Sequence, residues 1–527
     1  MGKKLWRSLL SAGFMLAATN VNGAQMPTWS YSGSSFYEEL GWRVLGCGDI
    51  NGDSINDFVA SAPGFDSDRG HVYAFSGHSP FQLLFLYVGE NSGDAFGKSI
   101  GAGDFDGDGI SDVLVGSPMY NSSQGRAYLF RGRTPASSPE TVQAASADVI
   151  ISGSNLFGQA TAITGDMNGD GRRELLITNV LTAYVFVGRN LNGQLLLTSQ
   201  GADRIHTEPD GYGAYGWAVA DLGDITANGR TDYAVTDYRY PPDSVNDQIG
   251  RVWLYRDDGQ LITKITGETA ADYFGWSVAS AGDLNADGVP DILVGAVTYE
   301  PESPLGMGRG KAYAFSGASP TTLLVAHEGK EPATYPPDYV DRMDFWGSSV
   351  AGGGDFDGDG TPDLLVVGDS HRSDVITDTG TVYVFSGLTG LELLRIYGSP
   401  RVLPSGPHQN WGLWAAFVND INNDGDDDIL VGSHHDDEIV THGGRIDIYV
   451  SDCCVGRRGN VDCDPQGTCD ISDLQALGDY LFYGGTLCCE EQADIDDSGT
   501  VDIADYTYLA DYLFNNGQPP STCSASN

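Results

Sequence analysis

The sequence predicts an all-β chain closed into a ring. This is a seven-bladed β-propeller of four-stranded blades over residues 25–451, followed by a small α-helical domain with duplicated acidic loops over 459–519. Three observations predict it. One acidic loop recurs seven times; each copy sits between a bulky residue–glycine pair and an apolar run; and near the C-terminus a loop–helix pattern occurs twice. Composition agrees, because 41 % hydrophobic and 10 % aromatic residues exclude wholesale disorder. The 71 Gly and 23 Pro favour short strands joined by turns. With 72 Asp+Glu against 28 Lys+Arg, the net charge of −44 excludes nucleic acid and anionic membrane surfaces as partners.

Taken in order, Lys3, Lys4 and Arg7 precede an apolar run, Leu9 to Ala18, and then small residues up to Gly23 and Ala24. That is the charge–apolar–small order of a secretory signal peptide, here 1–24. The run is shorter than the roughly 20 apolar residues that span a bilayer. The expectation is a secreted, extracellular or cell-surface protein with no membrane insertion. Cysteine usage fits, since Cys453, Cys454, Cys463, Cys469, Cys488, Cys489 and Cys523 cluster in the tail and Cys47 stands alone. A clustered set in an exported chain reads as a disulfide-stapled domain. Its number is odd, so one thiol stays free, pairs with Cys47 or bonds another molecule; spacing does not fix the connectivity. Residues 452–458 read as a Cys-containing linker and 520–527 as a terminal tail.

The acidic loop reads Asp-x-Asn/Asp-x-Asp-Gly-x-x-Asp, and its copies begin at Asp49, Asp104, Asp166, Asp224, Asp283, Asp355 and Asp420, spaced 55, 62, 58, 59, 72 and 65 residues apart. Calcium takes six to eight oxygens at roughly 2.3–2.6 Å, and loops rich in Asp and Asn supply them. Side chains at loop positions 1, 3, 5 and 9 are the candidate ligands. They are Asp49, Asn51, Asp53 and Asp57; Asp104, Asp106, Asp108 and Asp112; Asp166, Asn168, Asp170 and Glu174. The later copies supply Asp224, Asn228 and Asp232; Asp283, Asn285, Asp287 and Asp291; Asp355, Asp357, Asp359 and Asp363; and Asp420, Asn422, Asp424 and Asp428. The glycine at position 6 permits a sharp turn, and position 7 offers a carbonyl. One Asp-rich turn is an ordinary turn; seven in register, each closed by an acid at position 9, predict about seven calcium sites. The loops at Asp104 and Asp355 carry four aspartates and are expected to bind tightest. The copy at Asp224, with Thr226 and Asn228 inside it, is expected to be weakest or empty, and Ser54, in place of the turn glycine in the first copy, is expected to cost affinity.

Each copy follows a bulky residue and glycine: Leu40-Gly41, Phe96-Gly97, Phe157-Gly158, Tyr215-Gly216, Phe274-Gly275, Trp346-Gly347 and Trp411-Gly412. Strand-forming runs then lead to four strands per period. After the seventh loop only two further strands appear, around 428–432 and 445–450. The run Thr28 to Ser32 is therefore expected to complete blade seven and cover its open edge.

These residues resemble the FG-GAP repeats of the integrin α-subunit propeller. The Phe-Gly element and acidic loop match in all seven copies, and the Gly-Ala-Pro element survives as Ser61-Ala62-Pro63, Gly116-Ser117-Pro118 and Gly295-Ala296. The resemblance implies seven blades with calcium in the loop between the first two strands. It also implies a shared opposite face for second-to-third-strand and blade-to-blade loops. Long segments on that face, 238–250, 297–310 and 328–345, bring Tyr238, Tyr240, Tyr299, Tyr335, Tyr339 and, beside them, Trp346. A glycan or protein ligand is expected there.

In the tail, Ser472 to Phe482 aligns with Ala504 to Phe514, with apolar positions at helical spacing. Asp494, Asp496, Ser498, Asp502 and Asp505 occupy positions 1, 3, 5, 9 and 12 of a twelve-residue calcium loop. Asn460, Asp462, Asp464, Asp470 and Asp473 form a first copy if Pro465 and Gln466 are an insertion, giving one or two tail sites. Two such units look like a dockerin (type I), which implies a cohesin-like partner. Ile471-Ser472 and Ile503-Ala504 depart from that family's small hydroxyl pair, and the paired cysteines are extra. A disulfide-stapled stalk is the alternative.

Catalytic signals are sparse. Gly97-Lys98-Ser99-Ile100-Gly101 has the spelling of a nucleophile elbow, but it leads into a strand with no helix after it. His434-His435-Asp436-Asp437 reads as a solvated loop rather than a metal site, and Cys47 as a small core residue. The reading is a calcium-binding recognition or adhesion protein, more in keeping with binding than catalysis, whose tail mediates attachment or assembly. Its rivals are a calcium-dependent polysaccharide-active enzyme (lyase or hydrolase) and a structural surface-layer component.

Overall fold

The computed structural model describes residues 27–78, 80–208, 213–240, 248–269, 271–299, 309–329, 345–368, 380–397, 413–421, 425–436, 440–450, 461, 471–483, 493–496, 498, 501–515, 517–518 and 520. The expected leader, the linker 452–458 and the seven tail cysteines lie outside them.

Seven sheets, each antiparallel through its four blade strands, form the ring. From the axis outward, blade 1 holds strands 44–48, 57–62, 71–75 and 83–88; blade 2 holds 99–103, 112–117, 126–130 and 149–152; blade 3 holds 161–163, 175–178, 182–186 and 204–207. Blade 4 holds 219–223, 232–237, 251–255 and 261–266, and blade 5 holds 274–282, 291–296, 311–315 and 323–328. Blade 6 holds 346–352, 364–368, 381–385 and 392–397, and blade 7 holds 413–417, 429–433 and 445–449. The expected closure is present. Trp29–Ser32 pairs antiparallel with 445–449, Trp29 opposite Ile448 and Ser32 opposite Arg445. Trp29 then packs against Phe75 and Phe81 of blade 1, ring centroids 5.4 Å apart in each case.

Two blades exceed the expected four strands. Glu140–Gln143, an excursion from blade 2, adds a parallel strand to the outer edge of blade 1. Leu195–Thr198, from blade 3, does the same to blade 2. Both use the connection between third and fourth strands, and each ties a blade to its predecessor at the rim.

The core is divided into seven clusters, one between each neighbouring pair of blades. Second strands sit between two such clusters, so 57–62, 112–117, 232–237 and 291–296 are buried at every residue. That is why they read as unbroken apolar runs rather than alternating ones. The Phe-Gly element belongs to the same seams. Phe96 and Phe157 are fully buried, and the glycines that follow adopt φ near +90°. At Gly116 an added Cβ would lie 2.2 Å from the Gly158 carbonyl of the next blade, so only glycine admits this approach.

In the tail, helices 471–483 and 503–515 pair as the duplication predicts, with Leu477 and Leu509 fully buried.

Candidate metal centres

In an antiparallel four-stranded blade, first-to-second and third-to-fourth connections share one end of the ring. All seven acidic loops therefore lie on one face, and each is built by its own carboxylates. The position-1 aspartate cradles the turn: Asp104 Oδ1 accepts the N–H groups of Gly107 (2.7 Å) and Asp108 (3.1 Å), while Oδ2 accepts that of Gly109 (2.8 Å). Asp49, Asp166, Asp224, Asp283, Asp355 and Asp420 accept the position-6 N–H in the same way. Position 5 accepts the position-7 N–H, as Asp53, Asp108, Asp170 and Asp359 do at 2.8–3.0 Å. Position 6 needs the left-handed region, and Ser54 occupies it at φ 71° where other copies have glycine. That costs about 1–2 kcal/mol.

The closing acid has a structural task as well. Asp57, Asp112, Asp291 and Asp363 are buried; one oxygen accepts the position-2 N–H and the other that of Gly77, Gly132, Gly317 and Gly387 beyond the third strand. Glu174 and Asp428 make the same bond to Met167 and Ile421. Burial pushes Asp57, Glu174 and Asp363 up to about 7 and Asp112 up to about 8, against the opposing pull of these N–H donors. Burial, then neighbouring Asp359, raises Asp357 to about 6. In Asp166, backbone N–H groups outweigh burial and hold the carboxyl below its ordinary range.

Among the described residues, carboxylates converge in three of the propeller loops. Carboxylate oxygens of Asp104, Asp106 and Asp108 lie within 4.8 Å of one another, as do those of Asp355, Asp357 and Asp359. In blade 3 the converging set is Asp166, Asp170 and Glu174. Position-3 asparagines instead donate to the closing acid: Asn51 to Asp57, Asn168 to Glu174, Asn285 to Asp291. Asp287 and Asp53 keep their turn bonds. Asn422 and Asp424 lie outside the described residues. Blade 4 differs, because Asp232 accepts the N–H of Thr226, one residue further along than in the other copies. Asn228 there donates to Asp257 at 2.8 Å, with Arg230 3.4 Å from the same carboxylate. This loop is closed by a carboxylate from the turn after the third strand.

A divalent cation fits the acid-rich loops on chemistry and on geometry. The donors are all oxygen, and Asp106 Oδ1 is buried with no hydrogen-bond partner. In the tail, Asp494, Asp496 and Asp505 converge within 4.8 Å. Buried Asp505 accepts the N–H groups of Asp496 and Asp502, Ser498 donates to Asp494, and Asp502 accepts the N–H of Ala504. Asn460, Asp462, Asp464 and Asp470 lie outside the described residues; Asp473 is buried in its helix.

The remaining sequence signals resolve into structure. Ser99 is buried and its hydroxyl donates to the Gly158 carbonyl at 2.9 Å, sealing a blade seam. Burial also pushes the free Cys47 thiol well up. His434 packs on Trp42, centroids 4.7 Å apart. The long-loop aromatics turn inward. Tyr238, Tyr299 and Trp346 are buried, and Tyr240 and Tyr299 stack under Arg251 (3.5 Å) and Lys311 (4.3 Å). Tyr335 and Tyr339 lie outside the described residues. On the same face, a polar hollow of about 500 Å³ is lined by Asn91, Ser92, Tyr120, Asn121 and Ser122. Sequence reasoning missed Asp257, Arg131, and two buried acids, Glu208 and Asp237. No linear motif marks these residues, since they lie on different strands or blades.

Comparison with known proteins agrees with this geometry. The FG-GAP repeat family matches residues 40–75 and 96–130, and the FG-GAP-like repeat family matches 224–294 and 355–431. Over 415 residues the chain is 27 % identical to a phosphatidylinositol-glycan-specific phospholipase D of Mus musculus, covering 70 % of this chain and 48 % of that protein. It is 29 % identical to integrin alpha-IIb of Mus musculus, over 40 % of this chain and 21 % of the relative. It is 28 % identical to integrin alpha-4 of Xenopus laevis, over 38 % and 20 %. The chain spans about half the length, or less, of these relatives. It carries FG-GAP repeats in an integrin-alpha-like propeller.

Proposed function

We propose that this integrin-alpha-like FG-GAP propeller is an exported recognition protein whose acidic loops hold calcium. It binds a glycan or protein ligand on the face opposite those loops. Asp104, Asp106 and Asp108, with Asp355, Asp357 and Asp359, are the strongest candidate ligand sets, and Asp166, Asp170 and Glu174 form a third. The bound ion would neutralise carboxylates that burial drives upward and stiffen each blade where its first two strands meet. The observation that carries the reading is repetition: seven loops built by the same carboxylate-to-backbone bonds, on one face of a closed ring.

The opposite face is left for recognition. Its polar hollow between blades 1 and 2 offers hydroxyl and amide groups, and the net charge of −44 favours neutral or cationic ligands. The tail, with its Asp494–Asp496–Asp505 cluster, serves attachment or assembly through a cohesin-like or other docking partner.

The test is a glycan and protein ligand screen of the purified chain with calcium and with chelator, with product analysis on every hit. Calcium-dependent binding without turnover supports the proposal. Turnover of a polysaccharide would replace it with the enzymatic reading, and assembly of the chain alone on adding calcium would favour a structural layer.

A further inference from the structure

We propose that Arg131 is a resident counter-ion that sets the calcium affinity of blade 2, so that this four-aspartate loop fills late while its twin in blade 6 fills early. The inference rests on the calcium reading of the loops.

Most oxygens of the blade 2 loop are engaged by backbone. Asp104 uses both of its oxygens on the turn, and Asp108 Oδ1 accepts the N–H of Ile110 at 3.0 Å. What remains for a cation is the Asp106 carboxylate and Asp108 Oδ2. Arg131 reaches those same groups. Its Nε lies 2.6 Å from Asp106 Oδ2, and a terminal nitrogen lies 3.1 Å from Asp108 Oδ2. Asp106 Oδ1 stays buried without a hydrogen-bond partner, and Arg131 Nε meets Asp106 as an ion pair without hydrogen-bond geometry. A guanidinium cannot shed its proton to make way, so its charge stays beside the site.

Blade 6 is the natural control. Asp355, Asp357, Asp359 and Asp363 repeat the acid set, but the residue after the third strand is Ser386. Blades 1, 3 and 5 place Ser76, Val187 and Ser316 there. Arg256 of blade 4 holds the equivalent position, yet it pairs with Asp258 on the following turn. Of two loops with identical acids, one therefore carries a fixed positive charge from this position, and among the described residues the other does not. A dication facing a unit charge about 5 Å away through water is disfavoured about tenfold. Calcium entry must also displace the guanidinium. Asp148 offers it another carboxylate, already accepting Arg131's backbone N–H at 2.9 Å.

The test is calcium titration of the full chain, by calorimetry and by competition with a chromophoric chelator, for wild type, Arg131→Gln and Ser386→Arg. We expect Arg131→Gln to tighten one site about tenfold and Ser386→Arg to weaken one site by a similar factor. Unchanged or weaker binding in Arg131→Gln would overturn the proposal, because Arg131 would then be orienting the carboxylates rather than opposing the ion. Should that variant fail to fold, Ser386→Arg decides alone, and unchanged affinity there overturns the idea. A wild-type chain that takes up no calcium removes the calcium reading itself and the proposal with it.

Discussion

Asp363→Ala separates the two tasks of a closing acid. The side chain is fully buried; its Oδ2 accepts the N–H of Phe356 at 2.7 Å and its Oδ1 that of Gly387 at 2.9 Å. Alanine removes both acceptors. A buried donor left without a partner costs about 1–3 kcal/mol. Phe356 bears that penalty in full, while half-buried Gly387 can recruit water. The expected loss is therefore about 2–4 kcal/mol, and it falls on the calcium-free chain. Asp359→Ala is the contrast, since Asp359 is exposed and accepts only the N–H of Thr361, at 2.8 Å. Its loss in chelator should stay within about 1 kcal/mol. Adding calcium should stabilise wild type more than either variant. Urea unfolding in excess chelator, and again in calcium, reads both effects from the midpoint. If the two variants unfold alike in chelator, the closing acid is a ligand only, and the account of it as a brace between loop and third strand is wrong.

Three further outcomes follow from the seams. Trp29→Ala removes the ring that fastens the closing strand to blade 1; because Trp29 is half-buried we expect a loss of about 2–4 kcal/mol, with self-association by light scattering as the open edge finds a partner. Gly116→Ala drives a methyl into the Gly158 carbonyl and should cost about 1–3 kcal/mol in thermal unfolding, by overpacking. His71 stacks on Phe65 at 3.7 Å, and burial, then Arg69, lowers it to about 4. Below its ordinary 6.5 the unfolded chain gains a proton that the folded one refuses. Its contribution is thus intact above about pH 6.5 and falls away towards pH 4, by at most about 3 kcal/mol. His71→Phe should remove that part of the acid slope, as the difference between the two stability–pH curves.

The ring was legible in the sequence because its signals are local and repeated. Phe157-Gly158 marks a buried side chain beside a left-handed glycine, and the second strands announce two-sided burial by composition alone. Closure through Trp29 followed from counting strands. The rim strands 140–143 and 195–198 were not legible, because they are four residues long, half exposed, and gain strand character only from an edge in the preceding blade. The site shows the same division. Loop positions 1 and 5 follow from the turn they build, whereas Arg131 and Asp257 arrive from a turn more than 20 residues downstream. The packing of Tyr240 and Tyr299, expected on a ligand-binding face, was hidden for a related reason. Arg251 and Lys311, at the head of the next strand, draw those rings down onto themselves.

The closure also determines how the ring carries mechanical load. Strand 445–449 is the last of the chain in the propeller, yet it lies inside its sheet, paired on one flank with 429–433 and on the other with 29–32. Tension applied downstream of Val450 therefore meets two hydrogen-bond ladders at once, in shear. A C-terminal strand at the sheet margin would instead be unzipped one bond at a time. An anchor joined at that end pulls on the middle of a blade, and the N-terminal strand acts as the second jaw of the grip.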